Sequence, residues 1–220
     1  MATAVDLDEG PQLAGHFDDP QQQHDTALLG MWAFLATELL FFGGLILAYT
    51  VYRRLHFTAF AAASRDLSVA LGGINTAVLL TSSLTMALAV RAAQLRRKRP
   101  VLLLMIATMI LGVVFLGIKG YEYYDDYKHG LIPGSGFVFA AGLRDEAQMF
   151  FVIYFLMTGL HALHLIIGIA LVGIIAILCA RRGPIGHREN QVEVVGLYWH
   201  FVDLMWVFFY PMLYLIKVHR

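Results

Sequence analysis

Leu28-Leu-Gly-Met-Trp-Ala-Phe-Leu-Ala-Thr-Glu-Leu-Leu-Phe-Phe-Gly-Gly-Leu-Ile-Leu-Ala48 contains one charged residue, Glu38, near its middle. As a helix rising about 1.5 Å per residue, a stretch of about 20 apolar residues crosses a bilayer core of about 30 Å. Glu38 would then lie near mid-membrane, where a carboxylate costs about 2.5–3.5 kcal/mol on insertion scales. It is expected to be protonated, paired, or both. An ionisable residue at that depth is a functional-site candidate by default.

The whole chain has the same character. Hydrophobic residues make up 59% and charged residues 15%, and mean hydropathy is +0.66. That composition describes an integral membrane protein. Sixteen basic residues balance sixteen acidic ones, so no bulk charge favours nucleic acid. A single cysteine, Cys179, excludes an intramolecular disulfide and a cysteine-based metal cluster.

Four further apolar runs accompany the first, giving helices over about 27–52, 68–90, 101–127, 147–180 and 192–216. All are too long for strands and none alternates, so the expected fold is all-α, an integral membrane bundle of five transmembrane helices in one domain, 27–220. Runs one and two are joined by a short loop. Residues 1–26 form an acidic tail with Asp6, Asp8, Glu9, Asp18, Asp19 and Asp25 but no Lys or Arg. It reads as disordered or as a docking arm, and with no basic segment ahead of the first run no cleaved leader is expected. Five spans put the termini on opposite sides. The dense cluster Arg96-Arg-Lys-Arg99 points to a cytoplasmic N-terminus and an outside C-terminus.

Polar residues inside the runs carry what chemistry there is. In run four, Thr158-Gly-Leu-His-Ala-Leu-His-Leu-Ile-Ile-Gly168 places His161, His164 and Gly168 on one helix face. In run five, Tyr198-Trp-His-Phe-Val-Asp203 spaces His200 and Asp203 by three. Run two offers Asn75, Ser82 and Ser83 within a stripe of small or polar residues, Gly72, Asn75, Leu79, Ser82 and Met86, of the kind helices use to pack closely in lipid. Run three ends in Lys119-Gly-Tyr-Glu-Tyr-Tyr-Asp-Asp-Tyr127, whose charges are expected at the interface, snorkelling outward. Histidines on two helices could ligate haem, and His161, His164 and Glu38 could hold a transition metal. The ligand set is poor for either, and no metal is expected. An interhelical hydrogen-bond network joining Glu38 to the histidines and Asp203 accounts for the same residues. A proton pathway through the carboxylates is the third reading.

Four of these motifs, taken in order, closely resemble subunit III of the haem–copper terminal oxidases, from about Leu28 to Ile216. Thr37-Glu-Leu-Leu-Phe-Phe42 is similar to the family's Ser/Thr-Glu-x-x-Phe-Phe box, whose glutamate reacts with carbodiimide. Asn75-Thr-Ala-Val-Leu-Leu-Thr-Ser-Ser83 resembles Asn-Thr-x-x-Leu-Leu-x-Ser-Ser. Gly159 to Gly168 resembles Gly-x-His-Gly-x-His-Val-x-x-Gly, with Ala162 in place of a glycine. Tyr198 to Asp203 reproduces the box of the family's last helix, and Glu193 sits where the family usually has a glutamate.

The resemblance implies an accessory subunit of a proton-pumping cytochrome c oxidase in a bacterial plasma membrane. This chain would have no redox centre and no catalytic residue of its own. Haem and copper would belong to partner subunits I and II. Subunit I would be the direct partner, subunit II would share the complex, and a larger respiratory supercomplex could contain both. The chain would support proton uptake and protect subunit I over many turnovers. It looks like the five-helix form that lacks the first two of seven helices. The family's phospholipids lie in a cleft beside those two, so a headgroup at Arg181 or Arg182 would need another subunit to close the cleft. A quinol oxidase subunit or a relative attached to nitric oxide reductase would look similar. A small proton-coupled transporter built on Glu38, His164 and His200 is the alternative from another class, disfavoured by the lack of an internal repeat.

Overall fold

The computed structural model describes residues 19–139, 142–181 and 188–216. Within them the chain forms six α-helices and no strand: α1 (Pro20–Leu55), α2 (Phe57–Ala63), α3 (Val69–Gln94), α4 (Lys98–Lys128), α5 (Arg144–Arg181) and α6 (Glu189–Tyr214). All but α2 are long and apolar enough to cross a membrane. The expected five-span, all-helical bundle is therefore the fold observed.

Local chemistry sets where the helices start. Asp19 caps α1 by accepting from Gln21 N at 3.3 Å, with Pro20 in the first turn, so α1 begins ahead of its apolar run. Ser68 caps α3 by accepting from Leu71 N at 3.3 Å. Where α5 ends, Lys98 donates to Ala180 O at 3.2 Å and satisfies a terminal carbonyl.

The segment between the first two spans is not a loop. Phe57-Thr-Ala-Phe-Ala-Ala-Ala63 is rich in strong helix formers and folds as α2. Its Phe60 is fully buried, edge-on to Phe150 at 5.3 Å and beside Tyr49 at 5.8 Å. Thus α2 closes the end of the bundle where α1 finishes and α5 begins.

α6 is buried along most of its length and α1 along little of it. The inner faces follow a spacing of three and four residues. On α3 it runs through Gly72, Asn75, Leu79, Ser82, Met86 and Ala89, the small-residue stripe read from the sequence. On α4 it runs through Val101, Met105, Thr108, Gly112, Phe115, Lys119, Glu122 and Asp126. A repeat of about 3.5 residues keeps one seam facing its neighbours. Small residues on the seam let large ones in: Trp199 of α6 lies against Gly112 and Gly168, where an added Cβ would meet its ring at 2.9 and 3.2 Å. Of each Phe-Phe pair, one ring faces in (Phe42, Phe209) and one faces out (Phe41, Phe208).

Candidate functional site

Glu38 lies near the middle of α1, and His164 near the middle of α5. Glu38 Oε2 and His164 Nε2 are 3.2 Å apart, with the two side chains 19% and 14% exposed. His164 Nδ1 is 2.8 Å from Leu160 O. A carbonyl oxygen only accepts, so Nδ1 carries hydrogen. That leaves one proton for the bond between Nε2 and Oε2. It sits on the carboxyl, facing a neutral imidazole, or on the imidazole, facing a carboxylate. The two forms have the same net charge and differ by one proton shift along the bond. The Phe42 ring packs edge-on to the imidazole at 5.1 Å, and Tyr198 donates to His164 O at 3.0 Å. Together these hold the imidazole toward α1.

The remaining residues expected in one network divide into separate groups. His200 Nδ1 lies 2.8 Å from Ser83 Oγ, joining α6 to α3. Ser82 Oγ accepts from Trp199 Nε1 at 3.2 Å, and Thr76 Oγ1 accepts from Trp206 Nε1 at 3.1 Å. Asp203 is buried near Ser83 and Trp199, and neither carboxyl oxygen has a well-formed hydrogen bond. The Asn75 amide is fully buried and also unpartnered. His161 sits among Phe115, Trp206 and Phe209, with ring centroids at 5.6, 5.2 and 6.1 Å and no partner on either nitrogen. The reason is angular. Three residues along a helix turn the side chain to a direction roughly 60° away. His164 consequently meets α1, while His161 points at α4 and α6. Arg181 is exposed at the end of α5. Arg182 lies outside the described residues. Among the described residues, no group of three His, Cys, Asp or Glu is placed to hold a metal.

A second polar centre corrects the interfacial reading of run three. Lys119 and Glu122 are buried between α4, α5 and α6, at 2% and 3% exposed. Lys119 Nζ donates to Glu122 Oε2 (2.9 Å), Tyr154 Oη (2.9 Å) and Tyr214 Oη (2.6 Å), and Tyr214 Oη donates to Glu122 Oε1 (2.7 Å). The ammonium also lies 4.7 Å from the Tyr154 ring centroid and 5.2 Å from that of Trp206, close enough for cation–π attraction. A signal for this centre exists in the sequence. Lys119, Glu122 and Asp126 continue the spacing of Thr108, Gly112 and Phe115, so they belong to the inner seam and not to the outer rim.

With this geometry in place, the relatives are informative. Residues 10–218 match the family model for cytochrome c oxidase subunit III. A cytochrome c oxidase subunit 3 from Alkalihalophilus pseudofirmus is 32% identical over 222 residues, spanning 99% of each chain. One from Thermostichus vulcanus is 31% identical over 206 residues, 90% of this chain and 92% of its own. A probable quinol oxidase subunit 3 from Staphylococcus aureus is 28% identical over 188 residues, 86% and 88% of the two. A match along nearly the whole length of five membrane helices assigns the chain to the cytochrome c oxidase subunit III family, subunits of the haem–copper oxidases.

Proposed function

We propose that this chain is the accessory third subunit of a proton-pumping oxygen reductase in a bacterial plasma membrane, with its N-terminus in the cytoplasm and its C-terminus outside. Haem and copper sit in subunits I and II, and this chain docks directly on subunit I. It has no catalytic group of its own. Its contribution is to support proton uptake and to stabilise subunit I during turnover.

The observation that carries this reading is the Glu38–His164 pair. It is a polar group at mid-depth that can hold a proton in either of two positions. It lies between α5 and α1, the least covered of the five spanning helices, and the Glu38 side chain is still 19% exposed. Lipid cannot satisfy the exposed edge of a carboxyl group. Subunit I supplies the cover, through close packing of small and aromatic side chains. His200, Ser82 and Ser83 are packing polar groups whose hydrogen bonds fix α6 against α3, and Asn75 and Asp203 are buried polar groups on those same two helices. A phospholipid headgroup binds near Arg181 and Arg182 where a partner closes that side.

The test is affinity purification of the tagged full-length chain from its native membrane in mild detergent. Stoichiometric co-purification with haem-bearing subunit I supports the proposal. Isolation of the chain alone, active in proton-coupled uptake of a solute, would replace it with the transporter reading. The Staphylococcus aureus relative keeps a second donor in view. A co-purified subunit II with a copper site would indicate cytochrome c, and one without would indicate quinol.

A further inference from the structure

A cleft of about 700 Å³ opens at the end of the bundle where α4 finishes and α5 begins. Arg65, Asp66, Asp125, Asp126 and His129 contribute its polar lining, and Leu131 and Phe139 are among its apolar walls. The segment after α4 folds back over this end: Leu131 N donates to Asp126 O at 3.0 Å, and Val138 N to Gly130 O at 3.0 Å. Gly130, with φ 70°, allows the reversal.

Asp126 differs from the other acids there. It is 4% exposed, and its Oδ2 is fully enclosed with no hydrogen-bond partner. Behind it lies the Lys119 centre, and a count of hydrogens shows how the two connect. The ammonium spends all three N–H groups on Glu122, Tyr154 and Tyr214, and Tyr214 spends its O–H on Glu122. Both Glu122 oxygens are therefore engaged. The hydrogen left over is the Tyr154 O–H, and the Asp126 carboxyl is its neighbour. Lys119 and Glu122 cancel each other's charge, which leaves Asp126 as a second acid with no cation of its own inside the bundle. Outside it, Arg65, Asp66, Asp125 and His129 line the cleft with it, Asp125 and His129 from the same end of α4.

We propose that this cleft is a proton-exchange mouth, in which Asp126 passes protons between the aqueous phase and the buried Lys119–Glu122–Tyr154–Tyr214 ring. Uptake converts the Asp126 carboxylate and one proton from cleft water into the carboxyl form. Release reverses this. No bond to carbon changes and no oxidant or reductant takes part. Tyr154 is a positioning residue, since its hydroxyl accepts from Lys119 in the ring and lies beside the acid. Lys119 lies nine residues before Lys128, the end of α4, or about 14 Å inward along the axis. The mouth therefore gives the ring contact with water on one side of the membrane only. The Glu38–His164 pair is a separate site, so this inference stands without the role proposed for it.

A membrane-impermeant, water-soluble carbodiimide with an amine nucleophile tests it. The reagent activates a protonated carboxyl and the amine traps it as an amide, which peptide mass spectrometry places at a residue. The whole complex is used in vesicles of known orientation. The expected result is labelling of Asp126 only from the side where α4 ends, falling as bath pH rises and unchanged when sodium or potassium is added at constant ionic strength. Tyr154→Phe is expected to shift the pH midpoint of that labelling, whereas a purely structural Tyr154 would leave it in place. Labelling that ignores bath pH, occurs from the other side, or is absent from both overturns the proposal. Suppression of labelling by sodium or potassium at fixed pH also overturns it, identifying a metal-cation site instead.

Discussion

Glu38 Oε2 and His164 Nε2 meet 3.2 Å apart at mid-depth of the bundle, and the bond from Nδ1 to Leu160 O determines that one proton is left to share between them. Removing the acid strands a nitrogen that lipid and packed side chains cannot satisfy. Glu38→Ala is expected to destabilise the subunit by about 1–3 kcal/mol. Glu38→Gln can still donate to Nε2 from its amide, so its loss should be smaller. Detergent-titrated unfolding of the two variants checks this. Equal losses would mean that the hydrogen bond contributes nothing.

The Lys119 ring should respond differently to one change than to two. Lys119→Met leaves Glu122 buried without its cation, a loss of about 3–5 kcal/mol. Adding Glu122→Gln removes the orphaned charge and should recover much of it. A double-mutant cycle on folded subunit yield and unfolding midpoint measures the coupling. Additive effects would show that the two residues do not form a pair.

Trp199 occupies space left by two glycines. Gly112→Ala brings a Cβ to 2.9 Å from the indole, and overpacking of this kind costs about 1–3 kcal/mol. Gly117, on the same helix, has nothing within 4 Å of an added Cβ. Gly117→Ala should be neutral or stabilising by roughly 0.5–1 kcal/mol, through the helix propensity of alanine. Unfolding midpoints of the two variants should therefore move in opposite directions, or only the first should move.

The lipid expectation rests on Arg181, exposed where α5 ends. Lipid analysis of the intact complex should show less tightly bound phospholipid after Arg181→Ala and Arg182→Ala together. Unchanged content would remove these residues as headgroup contacts.

What a sequence reveals of each residue here depends on what that residue faces. Depth along a helix is arithmetic at about 1.5 Å per residue, so the positions of Glu38 and His164 within their apolar runs already put them at one level. Direction around the helix is harder. Spacing of three suggests one face for His161 and His164, yet their roughly 60° difference sends them to different neighbours. Lys119, Glu122 and Asp126 look interfacial because charge near a span end usually reaches water. The seam spacing from Thr108 onward carries the contrary signal, and it takes Tyr154 and Tyr214 from other helices to make a site of it. The α2 helix is legible in its alanines, but its burial depends on Phe150, far away in sequence.

Assistance to the oxygen chemistry without performing it is the central role we propose for this chain. The most direct measurement is oxygen consumption and proton pumping by a fully assembled, haem-replete complex carrying Glu38→Gln, followed over many turnovers. The expected result is a normal initial rate of oxygen reduction, with the defect confined to pumping or to durability. Complete loss of the initial rate in that complex would contradict this role and make Glu38 part of the essential chemistry.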